Sequence, residues 1–309
     1  MRGLLLILAS ASACFGWGCE GHQIVALIAR AHLSPGASAA VDDLLASQPM
    51  DAALSRYCKE KQADLMADAS TWADDVKRTE LTGAWHYIDI PRGIHSADPT
   101  LYCEPLGESR DGKDRPGCIL DAMEYELGIL KNKTASPPNR AQALRYLIHF
   151  VGDMHQPLHT TNNNDRGGNC VPIQFFDKPR KSNLHAIWDT DILQRDFASR
   201  KLATADAARD VDQSFEDKLE QWCKDGADFE QWLWEGHRIA EKATYGKLRP
   251  HVPVEVPDPS ADCALETTKT GALHLSVTEK YQDQSAQAIE AQLAKAGYRL
   301  ALVLNSVWN

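Results

Sequence analysis

The stretch His149-Phe-Val-Gly-Asp153-Met-His155-Gln-Pro-Leu-His159 sets an imidazole and a carboxylate four residues apart and adds another imidazole just beyond a proline. Residues i and i+4 share one face of an α-helix, so His149 and Asp153 project together and make half of a metal site. Pro137-Pro138-Asn139 signals the start of that helix, and Pro157 ends it soon after Asp153. His185-Ala-Ile-Trp-Asp189 repeats the pattern. A chain with 11 His gives roughly one such pair by composition alone, and in isolation the bland reading is a solvated or capped helix face. His237/Glu241 and His251/Glu255 are decoys of that kind, with Glu in place of Asp. Company separates the two Asp pairs from the decoys. Trp72-Ala-Asp74, Trp85-His86 and Trp17-Gly-Cys-Glu-Gly-His22 lie upstream, and two half-sites with His159 between them imply more than one metal ion.

Met1-Arg2 is a short positive start, Leu4 to Ala13 is apolar and uncharged, and Cys14-Phe15-Gly16 puts small residues at the last and third-from-last places before Trp17. This is the layout of a secretory signal peptide over residues 1–16, with an apolar run too short to span a bilayer. A buried N-terminal helix and a lipoprotein cleaved before Cys14 are the alternatives; Ala11-Ser12-Ala13 suits the second poorly. Cleavage after Gly16 makes Trp17 the first residue. Its free amine and carbonyl oxygen can then chelate a metal as a five-membered ring, with His22 completing the contact. Freeing an α-amino group of its proton costs only about 1 kcal/mol at neutral pH and roughly 4 kcal/mol at pH 5, so this metal is expected to be the acid-labile one.

Residues 17–309 suffice for one large domain or two small ones. Amphipathic helical patterns cover 23–31, 62–73, 139–154, 184–195, 206–224, 229–245 and 278–307. The strand candidate is Val171–Phe176, and Asn162–Asn169 is a loop by composition. The expected class is therefore mainly α with little β. Pro250–Pro259, with four prolines, is open to reading as a linker, but a surface loop is favoured, since the chain beyond Pro259 is too short for a second domain. In the last pattern, Ala286, Ile289, Leu293, Leu300 and Leu304 form a core stripe.

Seven cysteines remain beyond Cys14, and in an exported chain they read as disulfides with one thiol left over. Cys103–Cys118 is the first pair expected. Asn132-Lys-Thr134 is a glycosylation sequon, relevant only where the host modifies such sites. The formal charge of −10, without a basic stripe, argues against a protein that grips nucleic acid by bulk charge. A metal cluster changes the local field. Three Zn²⁺ against Asp74, Asp153, Asp189 and a hydroxide leave a site of about +2, able to draw phosphate without lysines.

Taken in order, Trp17-…-His22, Trp72-Ala-Asp74, His86-Tyr-Ile-Asp89, His149-Phe-Val-Gly-Asp153-…-His155-Gln-Pro-Leu-His159, Asp165-Arg-Gly-Gly-Asn169 and Asn183-Leu-His185-…-Trp188-Asp189 closely resemble the zinc-dependent, single-strand-specific nuclease and 3′-nucleotidase family of the S-one/P-one type. The closing Ala-Gly-Tyr-Arg-Leu-Ala301 resembles that family's last helix, and the likeness covers the whole mature chain. It implies the helical fold of the phospholipase C and single-strand nuclease type, with three zinc ions in a cleft. Asp74, His86, His149 and Asp153 would hold the first. His159, His185 and Asp189 would hold the second, leaving positions open for substrate. Trp17 and His22 would hold the third, bridged to the first by Asp153. The implied chemistry is in-line attack on phosphorus by a zinc-bridging hydroxide, with no catalytic side chain beyond the ligands, giving 5′-phosphorylated products. Single-stranded DNA, RNA and 3′-nucleotides would be the substrates of a secreted or periplasmic monomer with no membrane partner.

By the same resemblance Tyr87 stacks on a base, worth roughly 1–3 kcal/mol, and Asp89 bonds to it; the bland reading makes them a core and a turn residue. Arg92, Lys113 and Arg166 are candidate phosphate contacts. His155 reads as packed, and His32, His95, His237, His251 and His274 as surface or structural. A zinc phospholipase C is the nearest rival, but such enzymes have a longer gap from Trp to the first His and Glu where Asp189 stands. Denatured DNA against phosphatidylcholine vesicles separates the two activities. A secreted binding protein with structural metals would instead have closed four-ligand sites.

Overall fold

The structure, a computed structural model, describes residues 16–54, 57–107, 115 and 117–308. Residues 1–15 of the expected leader, and Lys113, lie outside the described residues. The elements are α1 (Cys19–Ala31), α2 (Pro35–Ser47), α3 (Leu65–Ala69), α4 (Trp72–Val76), α5 (Ile119–Lys131), α6 (Pro137–Met154), α7 (Leu184–Ala186), α8 (Ile192–Arg200), α9 (Thr204–Phe215), α10 (Leu219–Cys223), α11 (Phe229–Ile239), α12 (Cys263–Gly271) and α13 (Glu279–Trp308). The mainly α expectation holds. Of the strand candidate, Pro172–Ile173 forms a strand antiparallel to Ser182–Asn183, and Gln174 adds an isolated bridge to Ser276. No described helix is long and apolar enough to cross a membrane.

Helix α6 runs through the core, with every residue from Ala143 to Met154 buried. Ser136 caps its first turn through Asn139 N, with Pro137 at the first position. Helices α1 and α13 pack tightly together. The predicted stripe Ile289, Leu293, Leu300 and Leu304 is fully buried, as are Ile24 and Val25 opposite. Gly297 makes the approach possible, because a Cβ there would lie 2.6 Å from Cβ of Ile28. Gly297→Ala is therefore expected to destabilise by about 1–3 kcal/mol through overpacking, exceeding the ~1 kcal/mol gained in helix propensity. A higher melting temperature for this variant would refute the close packing.

Tertiary structure breaks several predicted helices. The 62–73 pattern divides into α3 and α4 because Asp64 caps at Met66 N and Ala67 N, and the chain turns at Ser70 and Thr71. The 206–224 pattern is interrupted by a 3₁₀ turn at Glu216–Lys218, and the 229–245 pattern passes into a π turn at Ala240–Thr244. The 184–195 pattern extends to Arg200 and contains a π turn at Ile187–Asp191. Helices α2, α5 and α12 lie outside the amphipathic patterns; in α2 only Ala37, Val41 and Leu45 are buried, a thin stripe.

Three disulfides join Cys19–Cys58, Cys103–Cys118 and Cys170–Cys263, leaving Cys223 free among the described residues. The expected Cys103–Cys118 pair is present. The 250–259 segment is a loop, as expected, held by Asn163 and Asn164, each of which donates to one of its carbonyls and accepts from one of its amides.

Candidate metal centre

Eight of the predicted side chains converge. His22 comes from α1, Asp74 from α4, His86 from the 3₁₀ turn after Thr82, and His149 and Asp153 from α6. His159 comes from the 3₁₀ turn Pro157–Thr160, His185 from α7, and Asp189 from the π turn directly after α7. All eight are at most 5% exposed. Three sets have donor atoms within 4.8 Å of one another: His22, Asp74 and His149; His86, His149 and Asp153; His159, His185 and Asp189. Since His149 belongs to two sets, the first five residues form one continuous cluster. Cys103, Cys118 and Asp121 meet the same distance test, but their sulfurs form a disulfide and cannot act as thiolate ligands.

The backbone sets the histidine tautomers. Nδ1 of His149 lies 2.7 Å from the Ser70 carbonyl, that of His159 2.6 Å from the His86 carbonyl, and that of His185 2.7 Å from the Gly167 carbonyl. A carbonyl only accepts, so each Nδ1 carries a proton and Nε2 of a neutral ring is a lone pair. Nε2 of His159 faces Nε2 of His185 at 3.2 Å, and Nε2 of His149 faces Oδ2 of Asp153 at 3.0 Å. Each of these contacts needs positive charge between its two atoms, supplied by a bound metal ion or, at His149, whose proton affinity the Asp153 and Asp74 carboxylates raise against burial, by a second ring proton. The break between α3 and α4 has its reason here, because it leaves the Ser70 carbonyl for His149.

Other buried atoms make the same case. Both ring nitrogens of His22, Nε2 of His86 and Oδ1 of Asp153 lack a hydrogen bond among the described residues. Oδ1 of Asp153 is 3.4 Å from Nε2 of His22, and Oδ2 is 2.9 Å from Nδ1 of His86. Gly152 lets His22 come this close, as a Cβ there would meet its Nδ1 at 2.9 Å. Burial lowers the His22 imidazole below its ordinary range and lowers His86 to about 4. Burial raises Asp189 well above the usual carboxylate range, with Asp153 and Asp74 adding to the effect. Burial also opposes the charge on Asp153, but His149 and His159 outweigh it and hold Asp153 well below its ordinary value. The imidazole–carboxylate donor set, its fixed tautomers and its orphaned atoms fit zinc.

Trp17 is buried, and its backbone nitrogen forms the peptide bond to Gly16 in this chain. Gly16 is buried against the same cluster: a Cβ on it would fall 1.5 Å from Oδ1 of Asp153 and 3.0 Å from Nε2 of His22. Tyr87 is half-buried and Asp89 exposed at its outer side. Arg92 is corrected as a phosphate contact. It is buried, donates to the Val252 and Pro253 carbonyls and stacks on Tyr245, so it anchors the 250–259 loop. Arg166 is exposed. His155 is packed as expected: Nδ1 donates to the Val151 carbonyl and Nε2 accepts from Arg299. His237 is structural, bonded to the Thr160 carbonyl, and His32 pairs with Asp212. His95, His251 and His274 are exposed.

Two residues at the centre escaped the sequence reading. Lys77, buried, places Nζ 2.8 Å from Oδ1 of Asp74; the i,i+3 spacing was its one available signal. Gln156 donates a short hydrogen bond to Oδ1 of Asp189, a contact with no local signature.

Helices and short turns that bring buried imidazoles and carboxylates from seven elements together define a mainly helical protein with donor sets able to hold metal ions. The chain belongs to the S1/P1 nuclease family, whose model, described as S1/P1 Nuclease, matches residues 17–309. It is 29% identical over 301 residues to Nuclease P1 of Penicillium citrinum, covering 94% of this chain and 97% of that protein. It is 26% identical over 317 residues to Nuclease S1 of Aspergillus oryzae, covering 97% and 94%. The match to Endonuclease 2 of Arabidopsis thaliana is 35% identical over 198 residues and covers 61% of this chain and 60% of that protein.

Proposed function

We propose that this chain is an exported, zinc-dependent endonuclease that hydrolyses single-stranded DNA and RNA to 5′-phosphorylated products and removes phosphate from 3′-nucleotides. The observation that carries this reading is the convergence of His22, Asp74, His86, His149, Asp153, His159, His185 and Asp189 in a chain of the S1/P1 nuclease family. Asp74, His86, His149 and Asp153 would hold one zinc, His159, His185 and Asp189 a second, and the freed Trp17 terminus with His22 and Asp153 a third. Bound zinc supplies Lewis acidity toward phosphoryl oxygens and lowers the pKa of water to about 7. The protein's own part is positioning. The Ser70, His86 and Gly167 carbonyls fix the tautomers of His149, His159 and His185, and Gln156 fixes the Asp189 carboxylate. Three disulfides and the leader-like residues 1–16 support export, to a secreted or periplasmic location, of one domain over 17–309.

Elemental analysis of the mature protein, followed by digestion of single-stranded DNA with and without chelator, tests the reading. Three zincs per chain and complete loss of digestion on chelation are expected. Intact DNA with zinc present, or digestion that survives metal removal, would overturn it.

Tyr87 would stack on a base while Asp89 accepts hydrogen bonds from its edge. Asp89 is exposed as a whole residue, but the protein packed around its carboxyl and nearby Asp165 raise that group to about 6, against Arg166 and a hydrogen bond from Asn162. Only the carboxylate accepts fully, so binding is strongest above that pKa and weakens as pH falls through about 6. KM for 3′-nucleotides should rise severalfold between pH 7 and pH 5 in the parent beyond any rise in Asp89→Asn. Parallel profiles in the two proteins would rule out this role for Asp89.

A further inference from the structure

Helices α11 and α13, with the π turn Ala240–Thr244, enclose a groove of about 380 Å³. None of the metal-centre residues lines it. Its floor is small and apolar, formed in part by Ala243, Ala288 and Ala291. Its polar wall is lopsided in charge. Arg238 and Lys242 stand one helical turn apart, both exposed, with no ion pair among the described residues. Lys295 faces them from α13, mostly buried, with Arg299 one turn beyond. Among the described residues Glu235 is the one carboxylate lining the groove, and it already receives two cations of α13: Arg299 at 2.9 and 3.1 Å and Lys295 at 3.1 Å. The neighbouring carboxylates turn away. Glu241 accepts from Gly93 N and meets His95, and Glu290 pairs with Arg200. Four cations thus share one acid, in a chain of formal charge −10. Burial lowers the Lys295 amine, and the like charges of Arg299 and Arg238 add to this against the pull of Glu235. The wall is also built rather than loose, because Arg299 is tied at once to Glu235, the Trp222 carbonyl and buried His155.

We propose that this groove is an anion site, separate from the metal centre, in which Arg238, Lys242 and Lys295 bind a phosphate group, either free or in the backbone of single-stranded nucleic acid. The charge balance selects an anion, and the alanine floor leaves room for a tetrahedral group between the two helices. Preformed donors reduce the ordering cost of binding. The site does not depend on the nuclease reading, since phosphate binding can be measured whatever the chain hydrolyses.

The test compares the zinc-loaded parent with the double variant Arg238→Ala/Lys242→Ala and its charge-keeping counterpart Arg238→Lys/Lys242→Arg. Calorimetric titration with inorganic phosphate should show a component in the parent and the charge-keeping protein that weakens about tenfold in the alanine variant. For a phosphorothioate oligothymidine, the slope of log K against log salt should flatten by about 1.4, the release expected for two phosphate contacts on a single strand. Turnover of bis-p-nitrophenyl phosphate should not change. If the alanine variant is weakened toward both ligands, the groove takes nucleic-acid backbone, and if it is weakened toward inorganic phosphate alone, the groove takes free phosphate. If the alanine variant binds both ligands as the parent does, the proposal fails. It fails equally if only sedimentation changes, which would make the groove a self-association surface.

Discussion

Asp153→Asn is expected to lower kcat on single-stranded DNA by about a thousandfold or more and to reduce the zinc content of the mature protein below three per chain. Losing one principal source of transition-state charge stabilisation already costs roughly 3–4 kcal/mol, and Asp153 serves two of the proposed zinc positions. Its carboxylate lies 3.4 Å from His22, 2.9 Å from His86, 3.0 Å from His149 and 3.7 Å from His159. An amide keeps the shape but removes the charge that balances these rings. Elemental analysis beside steady-state kinetics separates the two effects. Activity within tenfold of the parent with three zincs retained would show that Asp153 does not bridge.

A chain that keeps Gly16 ahead of Trp17 is expected to bind one zinc fewer than the chain that starts at Trp17 and to be roughly a hundredfold less active. Two observations lead there. An amide nitrogen within a peptide bond has no lone pair to give a metal, whereas a terminal amine does. Gly16 also rests against Oδ1 of Asp153 and Nε2 of His22, the atoms a third metal would need. Because protonation competes for the amine, the mature chain should lose this zinc first as pH falls below the amine's ordinary range of about 7.7–8.0. Matched samples with and without the leader, assayed for zinc and turnover at pH 7 and pH 5, decide the matter. Equal zinc and equal turnover would remove Trp17 from the metal site.

Much of this was legible in the chain because helical periodicity is a local property. His149 with Asp153, and His185 with Asp189, share faces on spacing alone, and prolines delimit α6. The apolar stripe of α13 was equally plain. What sequence spacing misjudged depends on partners distant in the chain. The 62–73 pattern reads as one helix, yet the Asp64 cap and the use of the Ser70 carbonyl by His149 divide it. Arg92 reads as a free cation for phosphate, yet the carbonyls of a loop about 160 residues later take its donors. Lys242 and Lys295 carry no joint signal, because more than fifty residues separate them. Only the packing of the π turn Ala240–Thr244 against α13 makes them neighbours.

By itself, the order of residues determined the helical class, the residue types of the centre and the family resemblance, since each depends on identity and near spacing. Tertiary structure alone decided which lone pairs face one another, where Gly16 rests and where cations gather in an acidic protein. Those properties arise from burial and from contacts across the chain, which no local pattern encodes.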